Sequence, residues 1–510
     1  LSIITITAEI EQQPIMEATI PKTALETYFE KYRNNILGID QSFVSPYGEK
    51  KIVYTDWTAS GRLYRPIEEK MLHLFGPFVA NTHTETTVSG TTMTRAYHAA
   101  RKIIKNHVNA GDNDVLITTG TGMTGVINKF QRILGLKIPE NMREYTNIPD
   151  YLRPVVFVTH MEHHSNQTSW LETIAKVEVI PCDQEGLFCM KEFKILIEKY
   201  KEHPYKIASI TSCSNVTGIK TPYHEVAKIM HQNNGLCFVD FACSAPYINI
   251  DMHPEGDPES YLDAVFLSPH KFLGGPGTNG VLVFNKKLYK NLIPDCPGGG
   301  TVAWTTPWGT HQYIENIEER EDGGTPGFLQ VIRTSLAIRL KEEMGVDNIL
   351  RREEELLEIL FERLGSANGI SILAPHVKDR LGVISFNVNS LHHDLTVKIL
   401  NDRFGIQSRG GCSCAGTYGH YLLEIDQQRS TEIIDLMNQG SCDLKPGWVR
   451  ISIHPTTTTE ELNYVIDSII LLSKNSNEWK DDYKFKSTKF VHHNETSENS
   501  SALCDSWFNF

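Results

Sequence analysis

The chain has 510 residues, of which 40% are hydrophobic and 22% charged, with a formal net charge of −13. This is the composition of an ordinary soluble protein long enough for two or three domains, and the acidic balance disfavours a nucleic-acid surface. No apolar run reaches membrane-spanning length, and Leu1-Ser2-Ile3-Ile4-Thr5 lacks the basic flank and apolar core of a signal peptide.

Ten cysteines in this length do not make a disulfide scaffold. Cys213, Cys237 and Cys243 lie in strand-like contexts, so free thiols in a reducing cytoplasm are expected. The triplets at Asn166, Asn215, Asn494 and Asn499 match glycan acceptors, but the first two fall among residues expected to be buried.

In chain order, residues 21–32 read as a helix, 67–75 as a helix stopped by Gly76-Pro77, and 93–108 as a second helix. Seven apolar, often β-branched runs follow at 115–119, 155–159, 177–180, 207–211, 236–240, 264–268 and 281–284. Most are continuous rather than alternating, as expected of strands covered on both faces. Helical patterns at 124–134 and 222–231 lie between them. The alternation predicts an α/β fold: a three-layer domain with a mostly parallel, seven-stranded sheet.

Residues 296–330, rich in Gly, Pro, Trp and Thr, read as long ordered loops, and 330–343 as a helix. A charged amphipathic helix at 349–364 opens a smaller α+β domain, with strands at 382–388 and 448–453 and helices at 396–404 and 457–472. The last helix begins with Thr and Glu three apart, a capping box. The expected organisation is an N-terminal segment 1–50 packing on the small domain, a large domain 51–345, a small domain 346–473, and a polar tail 474–510 that is disordered or laid over the surface.

In open α/β sheets ligands bind beyond the carboxyl ends of the strands. Gly120-Thr121-Gly122 follows the first strand and opens a helix, which suits either a phosphate or a tight turn. Met161-Glu162-His163-His164-Ser165-Asn166 follows the second; its spacing is not that of a zinc helix, and an imidazole here could stack on an aromatic cofactor or belong to a polar loop. Ser214-Asn215-Val216-Thr217-Gly218 follows the fourth. Asp240 ends the fifth, where a carboxylate is costly unless paired. Ser268-Pro269-His270-Lys271 follows the sixth, and a lysine held there suits a Schiff base. A phosphate cradle, a ring stack, a carboxylate for a pyridinium nitrogen and a Schiff-base lysine are what pyridoxal 5′-phosphate (PLP) requires.

With those residues in that order, the chain resembles the class V branch of fold-type I PLP enzymes over roughly residues 50–473, the group that contains cysteine desulfurases and selenocysteine lyases. The resemblance implies that His163 stacks on the ring, Asp240 pairs with its nitrogen, and Lys271 forms the Schiff base. It implies that Gly120, Thr121, Gly122, Ser268 and His270 hold the phosphate, with Asn215 beside the ring. Asp322-Gly323-Gly324-Thr325-Pro326 resembles the loop that reaches the neighbouring subunit's phosphate, which implies a homodimer. Val449-Arg450-Ile451-Ser452 resembles the strand whose arginine holds the substrate α-carboxylate, with Arg409 and Asn215 as helpers. Within Arg409-Gly410-Gly411-Cys412-Ser413-Cys414, Cys414 matches the cysteine that becomes a persulfide in desulfurases. No metal site is expected.

Two departures stand out. Cys243 replaces the family glutamine that follows the ring aspartate, and residues 416–446 form an insertion before the Arg450 strand. The favoured expectation is a cytoplasmic desulfurase that converts L-cysteine to L-alanine and passes sulfur from Cys414 to an acceptor protein. The alternatives are transamination, lyase or epimerase chemistry on another small amino acid without Cys414, or a scaffold with a degenerate site.

Overall fold

The structure is a computed structural model. It describes residues 22–82, 85–440, 445–495 and 504–509.

Seven strands form the central sheet: β1 Asp114–Thr119, β2 Val155–Thr159, β3 Lys176–Ile180, β4 Lys206–Thr211, β5 Leu236–Asp240, β6 Ala264–Leu267 and β7 Gly280–Asn285. Their spatial order is β1-β7-β6-β5-β4-β2-β3. Each agrees with its predicted run to within one residue at either end. The pleat explains the continuous apolar runs. Val155 and Phe157 of β2 feed the core on one face, and Val156 and Val158 feed the core on the other. Phe130, from helix Met123–Ile133, sits on that second face with its ring centroid 5.2 Å from Phe238 and 4.9 Å from Phe284.

Strands β2 to β6 are parallel, whereas β7 runs antiparallel to both β6 and β1. The connection from β6 to β7 holds only a single 3₁₀ turn, Pro269–Lys271, and no crossover helix, so the chain has to return antiparallel. Lys271 lies in that return.

A second sheet, β8 Ile370–Ile372, β9 Val383–Val388, β10 Arg409–Gly411 and β11 Trp448–Ser452, is antiparallel in the order β8-β9-β11-β10. Helices Val346–Gly365, His393–Phe404 and Thr459–Trp479 share its apolar core. The capping pair is Thr458 with Glu461, whose N–H donates to Thr458 Oγ1 at 3.0 Å. Helix Ala24–Arg33 is joined to this module by the Arg352–Glu26 and Arg33–Glu461 ion pairs at 3.0 and 2.7 Å, and to helix Phe328–Met344 by Tyr32 Oη donating to the Glu343 carbonyl.

One loop expectation is corrected. Residues 296–330 contain a hairpin, Val302–Thr305 with His311–Tyr313, and a helical turn, Ile317–Arg320. The insertion holds helices Gly416–Leu422 and Gln427–Asn438; Cys442 lies outside the described residues. The tail is not loose over its described part. The last long helix runs on to Trp479, and Tyr483–Lys486 pairs with Lys489–His492 in a hairpin. Tyr47 and Arg403 both bond to Asp482 at its base, at 2.8 Å each.

The segment leading into the large domain is stitched to the small one. Val53–Tyr54 pairs in parallel with Ile406–Gln407, and Thr58 N–H donates to Ser452 Oγ at 2.9 Å. This fixes Asp56 at the seam between the two sheets.

Candidate active site

The site lies beyond the carboxyl ends of β1, β2, β4, β5 and β6. Gly122, at φ +157°, turns the chain from β1 into helix Met123–Ile133. Met123 N–H, at that helix's N-terminus, donates to Ser268 Oγ at 2.9 Å. A Cβ on Gly122 would stand 3.1 Å from Ser268 Oγ and 3.3 Å from His270 Nε2. Glycine therefore leaves a concave space walled by a hydroxyl, an imidazole and a helix N-terminus, which suits an anion. Gly120 and Thr121 form the exposed lip of this turn.

Lys271 follows at once on its 3₁₀ turn, closed by its own N–H to the Ser268 carbonyl at 3.0 Å. The turn needs Gly275, because a Cβ there would lie 1.9 Å from the Pro269 carbonyl oxygen. Burial lowers the proton affinity of the Lys271 amine; Cys243 and Asp240 oppose that, and Arg450 and Arg409 add to it. Among the described residues no hydrogen bond or ion pair is made by its Nζ.

Asp240 is 4% exposed at the end of β5. Burial pushes its carboxyl up to about 6, while the Ala242 N–H, 2.8 Å from Oδ1, and Lys271 hold it down. It is a buried acid in need of a cationic partner. His163 caps helix His164–Leu171, its Nδ1 accepting from Ser165 N–H at 3.1 Å. Burial, then the positive charge of Lys271, push its imidazole down to about 3, so it is neutral at ordinary pH.

Glu162 anchors the His163 loop. Its Oε1 accepts from Thr159 N–H and Oγ1 at 3.2 and 2.8 Å and from Thr211 N–H at 2.8 Å, and its Oε2 accepts from Asn166 Nδ2 at 2.8 Å. Burial pushes this acid up, but four donors aimed at two oxygens favour the carboxylate. The side chain thus ties β2 to β4 and sets where His163 stands.

Asn215 Nδ2 donates to the Ser413 carbonyl at 2.7 Å, while its buried Oδ1 has no partner among the described residues. Arg450, 3% exposed, donates from Nη1 to the Asn215 carbonyl at 3.0 Å and from Nη2 to Asp56 Oδ1 at 2.7 Å. Its Nε is buried and likewise unpartnered. Arg409 reaches the other Asp56 oxygen at 3.0 Å.

Cys414 is exposed, and both Ser413 and Cys414 have left-handed backbones, at φ +51° and +57°. Two successive non-glycine residues there mark a strained turn. The turn is held from outside: the Cys414 carbonyl accepts from His164 N–H at 2.8 Å, Gly416 N–H donates to His164 Nε2 at 2.9 Å, and Trp448 Nε1 donates to Ser413 Oγ at 3.1 Å. Thr325 is exposed in the single chain and shares no hydrogen bond with this set among the described residues.

The structure therefore brings together Gly122, His163, Asn215, Asp240, Ser268, His270, Lys271, Arg450 and the Cys414 turn. Two features were not anticipated. One is Asp56 between the two arginines. The other is a buried thiol pair, Cys213 and Cys243, both converging on the Ser214 carbonyl at 3.5 and 3.8 Å. The contact with Cys213 draws the Cys243 thiol down, helped by Lys271 and Arg450, while burial pushes Cys213 up.

A mostly parallel open sheet with a lysine on the return after β6, a buried aspartate ending β5 and a histidine at the end of β2 defines the fold-type I class of PLP enzymes. The chain belongs to the aminotransferase class-V family, whose sequence profile matches residues 53–465. It is 28% identical over 373 residues to a probable cysteine desulfurase of Halalkalibacterium halodurans, covering 71% of this chain and 84% of that one. A probable cysteine desulfurase of Staphylococcus aureus is 29% identical over 371 residues, 72% of this chain and 84% of that one. In three dimensions it is similar to a cysteine desulfurase of Thermococcus onnurineus (TM-score 0.70, 23% identity, 90% of this chain and 100% of that chain). It is also similar to one of Escherichia coli (TM-score 0.65, 20% identity, 86% and 97%).

The residues present fit PLP. The Gly122 cradle, which a single Cβ would fill, has room and donors for a phosphate. Asp240 is an acid that a pyridinium would satisfy, and the unpartnered Asn215 Oδ1 and Arg450 Nε offer polar atoms to a bound molecule.

Proposed function

We propose that this enzyme takes sulfur from L-cysteine, releasing L-alanine and leaving a persulfide on Cys414. The observation that carries the reading is the tether of the Cys414 turn. Ser413 is bonded to Asn215 and Cys414 to His164, so the thiol is anchored to the two loops that border the Lys271 pocket. The names of the relatives support the same reaction.

In this reading Gly120, Thr121, Gly122, Ser268 and His270 hold the phosphate of PLP, Asp240 the ring nitrogen, His163 one ring face, and Lys271 the covalent link. Bound there, the cofactor supplies an electron sink for the pair left when the substrate Cα loses its proton. Arg450 grips the α-carboxylate, with Arg409 and Asn215 beside it. Neutral His163 stacks without adding charge. Lys271, whose buried amine gives up its proton readily, takes the Cα proton. The Cys414 thiolate attacks the substrate sulfur: an S–S bond forms, and the Cβ–S bond breaks with its pair staying on carbon. A proton completes the methyl group of alanine. Cβ is reduced by two electrons and the two sulfurs of the persulfide are oxidised by one each, so no outside oxidant is needed.

The same reading takes the working unit as a homodimer in which Thr325 reaches the neighbouring phosphate, with a protein that collects the sulfur, in the cytoplasm. Exposed Trp304 and Trp308, at 70% and 85%, support a covered surface on the nearby hairpin. Alanine release from L-cysteine by the PLP-loaded protein tests the reaction. Release no greater than that of a Lys271→Ala variant contradicts it.

A further inference from the structure

We infer that Asp56 sets the charge of substrate the pocket admits, restricting it to amino acids with one carboxylate. The inference rests on reading the Arg450 pocket as the amino-acid site.

Arg409 and Arg450 face each other directly across β10 and β11. Like charges at opposed positions repel, and Arg450 cannot leave, because it is bonded to the Asn215 carbonyl at 3.0 Å; Arg409 is half exposed and is held at its Nε by Asp56. Asp56 answers both, with Oδ1 2.7 Å from Arg450 Nη2 and Oδ2 3.0 Å from Arg409 Nε. Its backbone is not free to drift. Thr55 N–H bonds to the Gln407 carbonyl at 3.1 Å, and Asp56 itself forms a bridge with Ser452. The side chain is 14% exposed, against 46% for Arg409 and 3% for Arg450. Asp56 is therefore a fixed part of the pocket wall rather than a surface acid.

Two guanidinium groups and one carboxylate leave a single positive charge. That charge has an open donor, because Nε of Arg450 is buried and has no partner among the described residues. One α-carboxylate completes the balance. A second carboxylate on the substrate would meet an Arg409 whose charge Asp56 already balances at Nε, with the Asp56 oxygens close by. Asp56 thus does more than steady Arg450; it removes the cation that a dicarboxylic amino acid would need.

The test measures equilibrium binding by the change in visible absorbance of the PLP-loaded protein, with L-alanine and L-aspartate, neither of which can donate sulfur. Wild-type protein is expected to favour alanine. In Asp56→Asn both should tighten, aspartate about tenfold more than alanine after allowance for solvent screening. Arg409→Gln keeps the Asp56–Arg450 pair and lowers the local charge to zero, so alanine should weaken about tenfold. The double variant restores a single positive charge and should bring alanine back to within about threefold of wild type. Equal shifts for alanine and aspartate in Asp56→Asn, or no recovery in the double variant, would show a purely structural role and overturn the inference. No spectral response of wild-type protein to either amino acid would overturn the parent reading of the site as well.

Discussion

Replacing Gly122 by alanine tests the anion cradle directly. The added Cβ would stand 3.1 Å from Ser268 Oγ and 3.3 Å from His270 Nε2, the place a phosphate oxygen bonded to both would occupy. Two charge-assisted hydrogen bonds are worth about 1.5–3 kcal/mol each. Some of that is regained if the phosphate shifts, which leaves a loss of roughly 100-fold in PLP affinity, or about 2.7 kcal/mol. The backbone adds a second cost. At φ +157° and ψ −169° the position lies in a region almost reserved for glycine, so the fold should lose about 1–3 kcal/mol. Titrating the cofactor-free protein with PLP and with unphosphorylated pyridoxal, followed by absorbance, separates the effects. PLP should weaken about 100-fold and pyridoxal far less. A PLP affinity within about threefold of wild type would refute the assignment of this turn to the phosphate.

Two further predictions concern the loop under the ring. Glu162→Gln keeps the shape but points an amide N–H₂ at groups that are themselves donors. Denaturant unfolding should show a loss of about 3 kcal/mol, whereas a loss under about 1 kcal/mol would mean that Glu162 is protonated and burial has won over its four donors. His163→Phe should change the acid response of the cofactor-free protein. His163 falls to about 3 in the fold from an ordinary 6.5, so the unfolded chain binds the extra proton between those values, and stability drops as pH falls through that window. Removing the imidazole should lessen that drop by up to about 1.4 kcal/mol per pH unit, and an unchanged slope of stability against pH would count against a buried neutral His163.

Much of this site could be read from the sequence, because strands covered on both faces are written as unbroken apolar runs and the polar residue ending each run stands out. Asp240 after Leu236–Val239 and Lys271 after β6 are visible in that way. Asp56 is not: its partners Arg409 and Arg450 are 353 and 394 residues away, and nothing local to Tyr54-Thr55-Asp56 signals a pairing made only when the two sheets meet. In the hairpin, Tyr483–Lys486 alternates in sequence but Lys489–His492 does not. The hairpin's partners Tyr47 and Arg403 lie far from it in the chain, so the segment carries no clear core pattern of its own and reads as a polar tail. The left-handed Ser413-Cys414 turn was hidden for a related reason. Non-glycine residues adopt it only because His164, Asn215 and Trp448 hold it from outside.

The central claim is that Cys414 receives the substrate sulfur, and peptide mapping by mass spectrometry after one turnover with L-cysteine tests it most directly. The account predicts a mass increase of one sulfur atom on the peptide carrying Cys414, reversed by reductant and absent from Lys271→Ala, with alanine release lost in Cys414→Ser. Full alanine release by Cys414→Ser, with no added sulfur on the wild-type peptide, would contradict it.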